Sequence, residues 1–233
     1  MPAPQTLSLE TDLPVVMRDG VTLRGELIRP AGPGPYPTLI VRNPYGPEVG
    51  FLAGRFNPLS AVKRGYAVLL QDCRGCFSSD GDFYPFHQEQ ADGYDTVEWA
   101  AAQPWSDGNV GVSGASYLGC TTWQAALAAP PHLKAVAPAS TASDYRDGWV
   151  YQGNALLLDF APGWGLGVKA LRLRDQGLAP EELAVLGLLV NRPATLEAFY
   201  AALAGGSVSG DPSSTAPTLG YVMVWRADGW PWS

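Results

Sequence analysis

Val110-Gly111-Val112-Ser113-Gly114-Ala115-Ser116-Tyr117-Leu118-Gly119 is the stretch on which the fold turns. It opens as a short apolar strand. It closes as the first turn of a helix read over 117–128, YLGCTTWQAALA. Between them a serine sits on a turn flanked by small residues, the setting of a nucleophile elbow. The reason is steric, because a tight strand-to-helix turn leaves no room for large neighbours. The helix N-terminus behind it directs unspent N–H groups toward developing negative charge. The match departs from plain G-x-S-x-G, since Leu118 stands at +2 and the glycine comes at +3 as Gly119. A glycine-rich βα turn with an idle serine is the competing reading.

The surroundings have the same grammar. Val21, Leu23 and Leu27 fall on one face of an antiparallel-type strand after the Arg18-Asp19-Gly20 turn. Thr38–Val41, Ala67–Leu70, Val110–Val112 and Leu133–Val136 are short apolar runs of the kind buried in parallel sheets. Helical patterns separate them, over 58–64, over 88–102 with Ala91, Tyr94, Val97 and Ala101 in phase, and over 117–128. Strands alternating with helices imply an α/β fold, a mostly parallel sheet with helices on both faces. This organisation spans 1–142. Residues 143–203 are rich in Leu and Ala, with helix signals at Pro180-Glu181-Glu182 and over 193–203. Residues 204–217 read as a flexible linker, and 218–233 as one more strand and a tail.

Composition narrows the function classes. The 233 residues carry a formal net charge of −7, with 16% charged residues and no Lys/Arg cluster. Nucleic acid and anionic membrane surfaces are therefore poor partners. The longest apolar run, Leu183–Val190, is far short of the roughly 20 residues of a membrane span. The N-terminus lacks a basic and apolar leader, and three cysteines do not make a disulfide framework. The expectation is a cytoplasmic protein acting on a small molecule, with no metal or other cofactor.

MRDGVTL (17–23), VRNPYG (41–46), QDCRGCFSSDGDF (71–83), DGYDTVEWAAAQPWSDGNVG (92–111) and GASYLG (114–119) together resemble the X-Pro dipeptidyl-peptidase-like, CocE/NonD hydrolases. The likeness runs over about residues 10 to 165, through Lys134–Pro138 and Ala142–Tyr145. It implies serine hydrolases of ester, aminoacyl-ester or peptide substrates, on the α/β-hydrolase fold with a helical cap and a C-terminal jelly roll. Ser116 then matches the nucleophile. Tyr45 matches a tyrosine whose hydroxyl joins the backbone N–H of Tyr117 in the oxyanion hole. The 143–203 region matches part of the cap.

A serine hydroxyl needs a base, and in this fold the order along the chain is Ser, acid, His. The histidines here are His87 and His132, both read as surface or loop residues. The family pattern carries its acid on a Gly-Trp-x-Asp motif. Here Pro217-Thr218-Leu219 leads instead into GYVMVWRADGWPWS, with Asp228 out of register. This end reads as a truncation or frameshift that removes the last strands of the sheet and leaves an edge open to self-association. Three readings follow: a serine hydrolase, a catalytically inert remnant of that fold, and a thiol protein using the Cys73/Cys76 pair. Cys120, Tyr94, Trp99 and Trp123 read as packing residues, and Asp92 and Asp95 as a solvated helix face.

Overall fold

The structure, a computed structural model, describes residues 6–46, 57–142, 144, 148–152, 155–157, 164–165, 167–168 and 177. The chain divides into two units, Met1–Ser143 and Asp144–Ser233. The first contains β1 (Leu7–Val16), β2 (Thr22–Pro30), β3 (Tyr36–Asn43), α1 (Pro58–Val62), β4 (Ala67–Asp72), α2 (Glu89–Ala101), β5 (Ser106–Ala115), α3 (Tyr117–Leu127) and β6 (Leu133–Ala139). Their order in the sheet is β1-β2-β4-β3-β5-β6. The first two strands run antiparallel to their neighbours, and β4, β3, β5 and β6 run parallel.

Alternation along the strands sends side chains to two covered faces. Ile40 and Leu69 join Val110 and Val112 beneath Val97 and Ala100 of α2 and Ala125 of α3. Their sequence neighbours Leu39, Val68 and Leu70 pack on the other side, with Ala61 and Val62 of α1. This two-sided burial is why these strands read as continuous apolar runs rather than alternating ones. Asn57 caps α1 by accepting from the Ser60 N–H at 3.0 Å, with Pro58 in the first turn.

The chain leaves β3 for β4 on one side and returns to β5 on the other. The carboxyl ends of β3 and β5 therefore border the point where strand order reverses, the usual ligand crevice of open α/β sheets. Tyr45 follows β3 and Ser116 follows β5.

The structure adds β1, which the periodicity did not reveal. The register slips between Glu10 and Leu13, and Asp12 has φ +56°. This bulge inverts the faces on either side of it. Leu9 is 60% exposed and Val15 is fully buried, though both occupy odd positions. In the second unit the described residues include an antiparallel hairpin, β7 (Tyr151–Gln152) and β8 (Ala155–Leu156). The helices expected near 180 and over 193–203, the 204–217 linker and the strand within 218–233 lie outside the described residues. Among the described residues no helix is long and apolar enough to cross a membrane.

Candidate active site

Ser116 joins β5 to α3 with φ +58° and ψ −125°, a conformation L-residues rarely hold. Such a residue costs about 1–3 kcal/mol and persists only where its surroundings over-determine it. Here its N–H donates to Ala139 O of the neighbouring strand at 3.0 Å, and its carbonyl accepts from Cys120 N–H at 3.0 Å. The side chain is half-buried and does not cap the helix. The first N–H groups of α3 are thus left unspent by it.

Two glycines make the turn possible. A Cβ at Gly114 would lie 2.6 Å from both the backbone carbon and the oxygen of Leu118. One at Gly119 would meet Thr141 Cγ2 at 2.7 Å and Ala139 O at 3.0 Å. The glycine at +3 thus lets the helix pass close to the loop after β6. The obstacle at Gly114 is backbone rather than a flexible side chain, so Gly114→Ala must displace the helix start. It is expected to lower stability by about 1–3 kcal/mol, the usual range for overpacking. Urea unfolding checks this, and an unchanged midpoint would contradict it.

Tyr45 is placed by an Asx-type turn. Its N–H donates to Asn43 Oδ1 at 3.0 Å, and Asn43 Nδ2 donates to Gly46 O at 2.6 Å. The rings of Tyr45 and Tyr117 meet edge-on, with centroids 6.4 Å apart. Tyr117 thus follows Ser116 directly and meets Tyr45 ring to ring, and the three residues singled out in the sequence lie past the carboxyl ends of the neighbouring strands β5 and β3.

Beneath them lies a charged network that periodicity missed. Tyr117 is fully buried, and its hydroxyl donates to Glu89 Oε1 at 2.9 Å while accepting from Phe86 N–H at 3.0 Å. Glu89 Oε2 lies 2.7 Å from Arg42 Nη1, and Arg42 Nε donates to Gln71 Oε1 at 3.0 Å. Asp92 is 1% exposed, which corrects its assignment to a solvated face. It is held by Arg74 at 2.6 and 3.0 Å, and Arg42 Nη2 lies 3.7 Å away. Asp95 pairs with Arg18 at 2.7 Å, and the Arg18 guanidinium also stands over the Tyr94 ring. Of the Ala91/Tyr94/Val97/Ala101 phase, Val97 is buried in the core and Ala101 packs against it, but the buried face also takes in Glu89, Asp92, Gly93, Thr96 and Ala100. Apolar spacing missed the buried acids because it cannot see the arginines that draw them inward. A detectable signal was Arg42 within an otherwise apolar strand.

Burial alone would depress the Arg42 guanidinium, but the charges of Glu89 and Asp92 lift it above its ordinary value. Burial, reinforced by Glu89, pushes the Tyr117 phenol well above its usual range, so it stays a neutral donor. Asp19 shifts the other way, below 3.8, chiefly through its hydrogen bond from Arg74. A carboxylate whose folded value is depressed adds stability above its unfolded value and loses it as pH falls through the lower folded one. The melting-temperature gap between wild type and Asp19→Asn is therefore expected to be present at neutral pH and to close below about pH 4. A gap constant through that range in a thermal-denaturation series would refute the pairing.

The thiols form no reactive pair. Cys73, Cys76 and Cys120 are all buried. Burial, then Glu89, drives Cys73 well above its ordinary value, the reverse of an activated thiolate. Cys73 and Cys76 instead close a turn, Cys76 N–H to Cys73 O at 3.0 Å. His132 Nδ1 sits 2.8 Å from Glu98 Oε2, beyond the C-terminal end of α3 and so over 16 Å of helix from the elbow, at about 1.5 Å per residue. His87 is exposed, with its ring edge-on to Tyr84. Among the described residues no group of three or more His, Cys, Asp or Glu side chains is placed to hold a metal.

Residues 19–192 match the family model for the X-Pro dipeptidyl-peptidase (S15 family). The chain is 39% identical over 229 residues to cocaine esterase of Rhodococcus sp. (strain MB1 Bresler), covering 95% of this chain and 38% of that protein. A CocE/NonD family hydrolase from Staphylococcus aureus superposes with a TM-score of 0.67 at 30% identity, over 77% of this chain and 36% of that one. An α-amino acid ester hydrolase superposes at 0.58 and 25% identity, over 74% and 31%. The chain thus spans well under half the length of each of these three relatives. The strand order, the strained serine turn and these likenesses agree: the chain belongs to the X-Pro dipeptidyl-peptidase (S15) family, on the α/β-hydrolase fold.

Proposed function

We propose that this chain carries the nucleophile and oxyanion hole of a serine hydrolase that cleaves ester or amide bonds of small acyl or aminoacyl substrates. The observation that carries the reading is Ser116 held at φ +58° on a strand-to-helix turn. Its Oγ would attack the substrate carbonyl carbon while a base takes the hydroxyl proton. The oxyanion would be met by the Tyr117 backbone N–H and the Tyr45 hydroxyl. As the alcohol or amine leaves, it takes that proton and an acyl-enzyme remains. Water, deprotonated by the same base, then releases the acid and restores Ser116. The net charge of −7 supports a small-molecule substrate rather than nucleic acid. Three buried thiols fit a reducing compartment and support a cytoplasmic location.

A second reading rests on the histidines. His132 is engaged by Glu98 far from Ser116, and His87 lies against Tyr84. Under that reading these residues are the fold and oxyanion half of a hydrolase with no base of their own. Fluorophosphonate labelling of the purified, folded chain separates the two. Labelling that disappears in Ser116→Ala supports the hydrolase. A folded, unlabelled wild type supports the scaffold without a base.

A further inference from the structure

We propose that the buried Glu89–Arg42 pair is a positioning device for the oxyanion hole, acting through the phenol of Tyr117; this rests on the serine-hydrolase reading above. Tyr117 is the first residue of α3, where helical hydrogen bonds do least to fix the backbone. The N–H that would meet the oxyanion belongs to this residue. Its peptide plane is held on one side by the Ser116 carbonyl, which accepts from Cys120 N–H at 3.0 Å, and on the other by the Tyr117 side chain. That side chain is fully buried, wedged against Phe83 and Phe86 with ring centroids 5.8 and 5.1 Å away. The phenol is pinned at its tip by Glu89 and by Phe86 N–H.

Glu89 is in turn fixed from β3. Arg42 Nη1 lies 2.7 Å from the Glu89 carboxylate and donates to the Glu89 backbone carbonyl at 3.1 Å. The Arg42 carbonyl accepts from Thr121 Oγ1 at 3.2 Å, one turn along α3 from Tyr117. Arg42 also stands three residues before Tyr45, whose ring meets that of Tyr117. The pair therefore closes a circuit through β3, α2 and α3 and touches the carriers of both oxyanion donors.

The chemistry of the pair favours this role over simple stabilisation. Well-packed apolar residues often replace a buried ion pair at no loss of stability. What a charged acceptor supplies is a strong, directional bond to the phenol. Positioning has large leverage on rate, since a displacement of about 1 Å costs on the order of 10²-fold.

The test is the rate of fluorophosphonate labelling at Ser116. In that reaction a P–O bond to Oγ forms, fluoride leaves, the hydroxyl proton passes to the base, and the phosphoryl oxygen occupies the hole. Tyr117→Phe removes only the phenol oxygen and is expected to slow the maximal labelling rate by about tenfold or more, with half-saturating probe concentration within about twofold. Glu89→Ala is expected to match it. Glu89→Gln, which keeps an acceptor, should recover part of the rate. The Glu89→Ala/Tyr117→Phe double variant should be no slower than the worse single, because both act through one path. Val62→Ala, from the apolar cluster beneath α1, serves as a destabilised control and should label at the wild-type rate. Wild-type labelling by Tyr117→Phe overturns the inference and leaves Ser116 as nucleophile. Equal slowing by Val62→Ala overturns it as general destabilisation. An unlabelled wild type overturns the serine reading and this inference with it. If Glu89→Ala does not fold, Tyr117→Phe against Val62→Ala still decides.

Discussion

On the serine-hydrolase reading proposed above, Ser116→Ala is expected to lower kcat toward 4-nitrophenyl acetate by about 10⁶-fold, some 8 kcal/mol of transition-state stabilisation. The hydroxyl is the atom that would form the acyl bond. The binding crevice and the oxyanion donors would survive the change. The variant should therefore keep a residual acceleration of about 10³–10⁴ over water. KM should move little, because Ser116 contributes to bond formation rather than to holding the ground state. Steady-state rates on matched, monodisperse samples provide the check. A loss under about tenfold would mean that no base acts on Ser116, since an unassisted serine is a weak nucleophile.

Arg42→Leu is expected to destabilise the fold by about 3–5 kcal/mol, because it leaves the Glu89 carboxylate buried without its counter-ion. Arg42 is 1% exposed and Glu89 4%, so water cannot take over the lost interaction. Asp92 keeps Arg74, so only one of the two acids is stranded. Against a typical total of about 5–15 kcal/mol the variant would be marginal. Its melting temperature is expected to fall by roughly 10–15 °C. The contrast is Arg24→Ala. Arg24 meets Asp12 at 3.3 Å on a largely exposed surface, where such a pair is worth at most about 1 kcal/mol. Urea denaturation of both variants tests the difference. Equal midpoints would show that the buried pair does not bind the sheet to its helices.

Much of this arrangement was legible in the residues themselves. Small residues around Ser116 announced the turn, since only glycine at 114 and 119 admits so close an approach of helix to strand and loop. The apolar runs announced β3, β4 and β5 because both faces of those strands are covered. What stayed hidden has specific causes. The alternation of β1 is reversed halfway by the bulge at Asp12, so neither half is long enough to read. The acids of α2 looked solvated because the groups that bury them, Arg42 and Arg74, come from β3 and from the loop after β4. Charge burial is decided by tertiary partners, and a pattern search within one helix cannot supply them. The Cys73/Cys76 spacing suggested redox chemistry, but it marks a turn whose central arginine holds Asp92 and Asp19.

The placement of β3 beside β5 also constrains how the protein is made. Thr38 and Ile40 pair with Val110 and Val112 across an intervening helix, strand and helix. Tyr45, Arg42 and Glu89 leave the ribosome well before the strand that carries Ser116. Until β5 slots in, the Arg42 and Glu89 charges keep their hydration and the crevice has only one wall. Such non-local pairing gives up chain entropy before any contact repays it, which makes it a slow step in folding. Tyr45 and Ser116 are therefore brought side by side only by the pairing of β3 with β5.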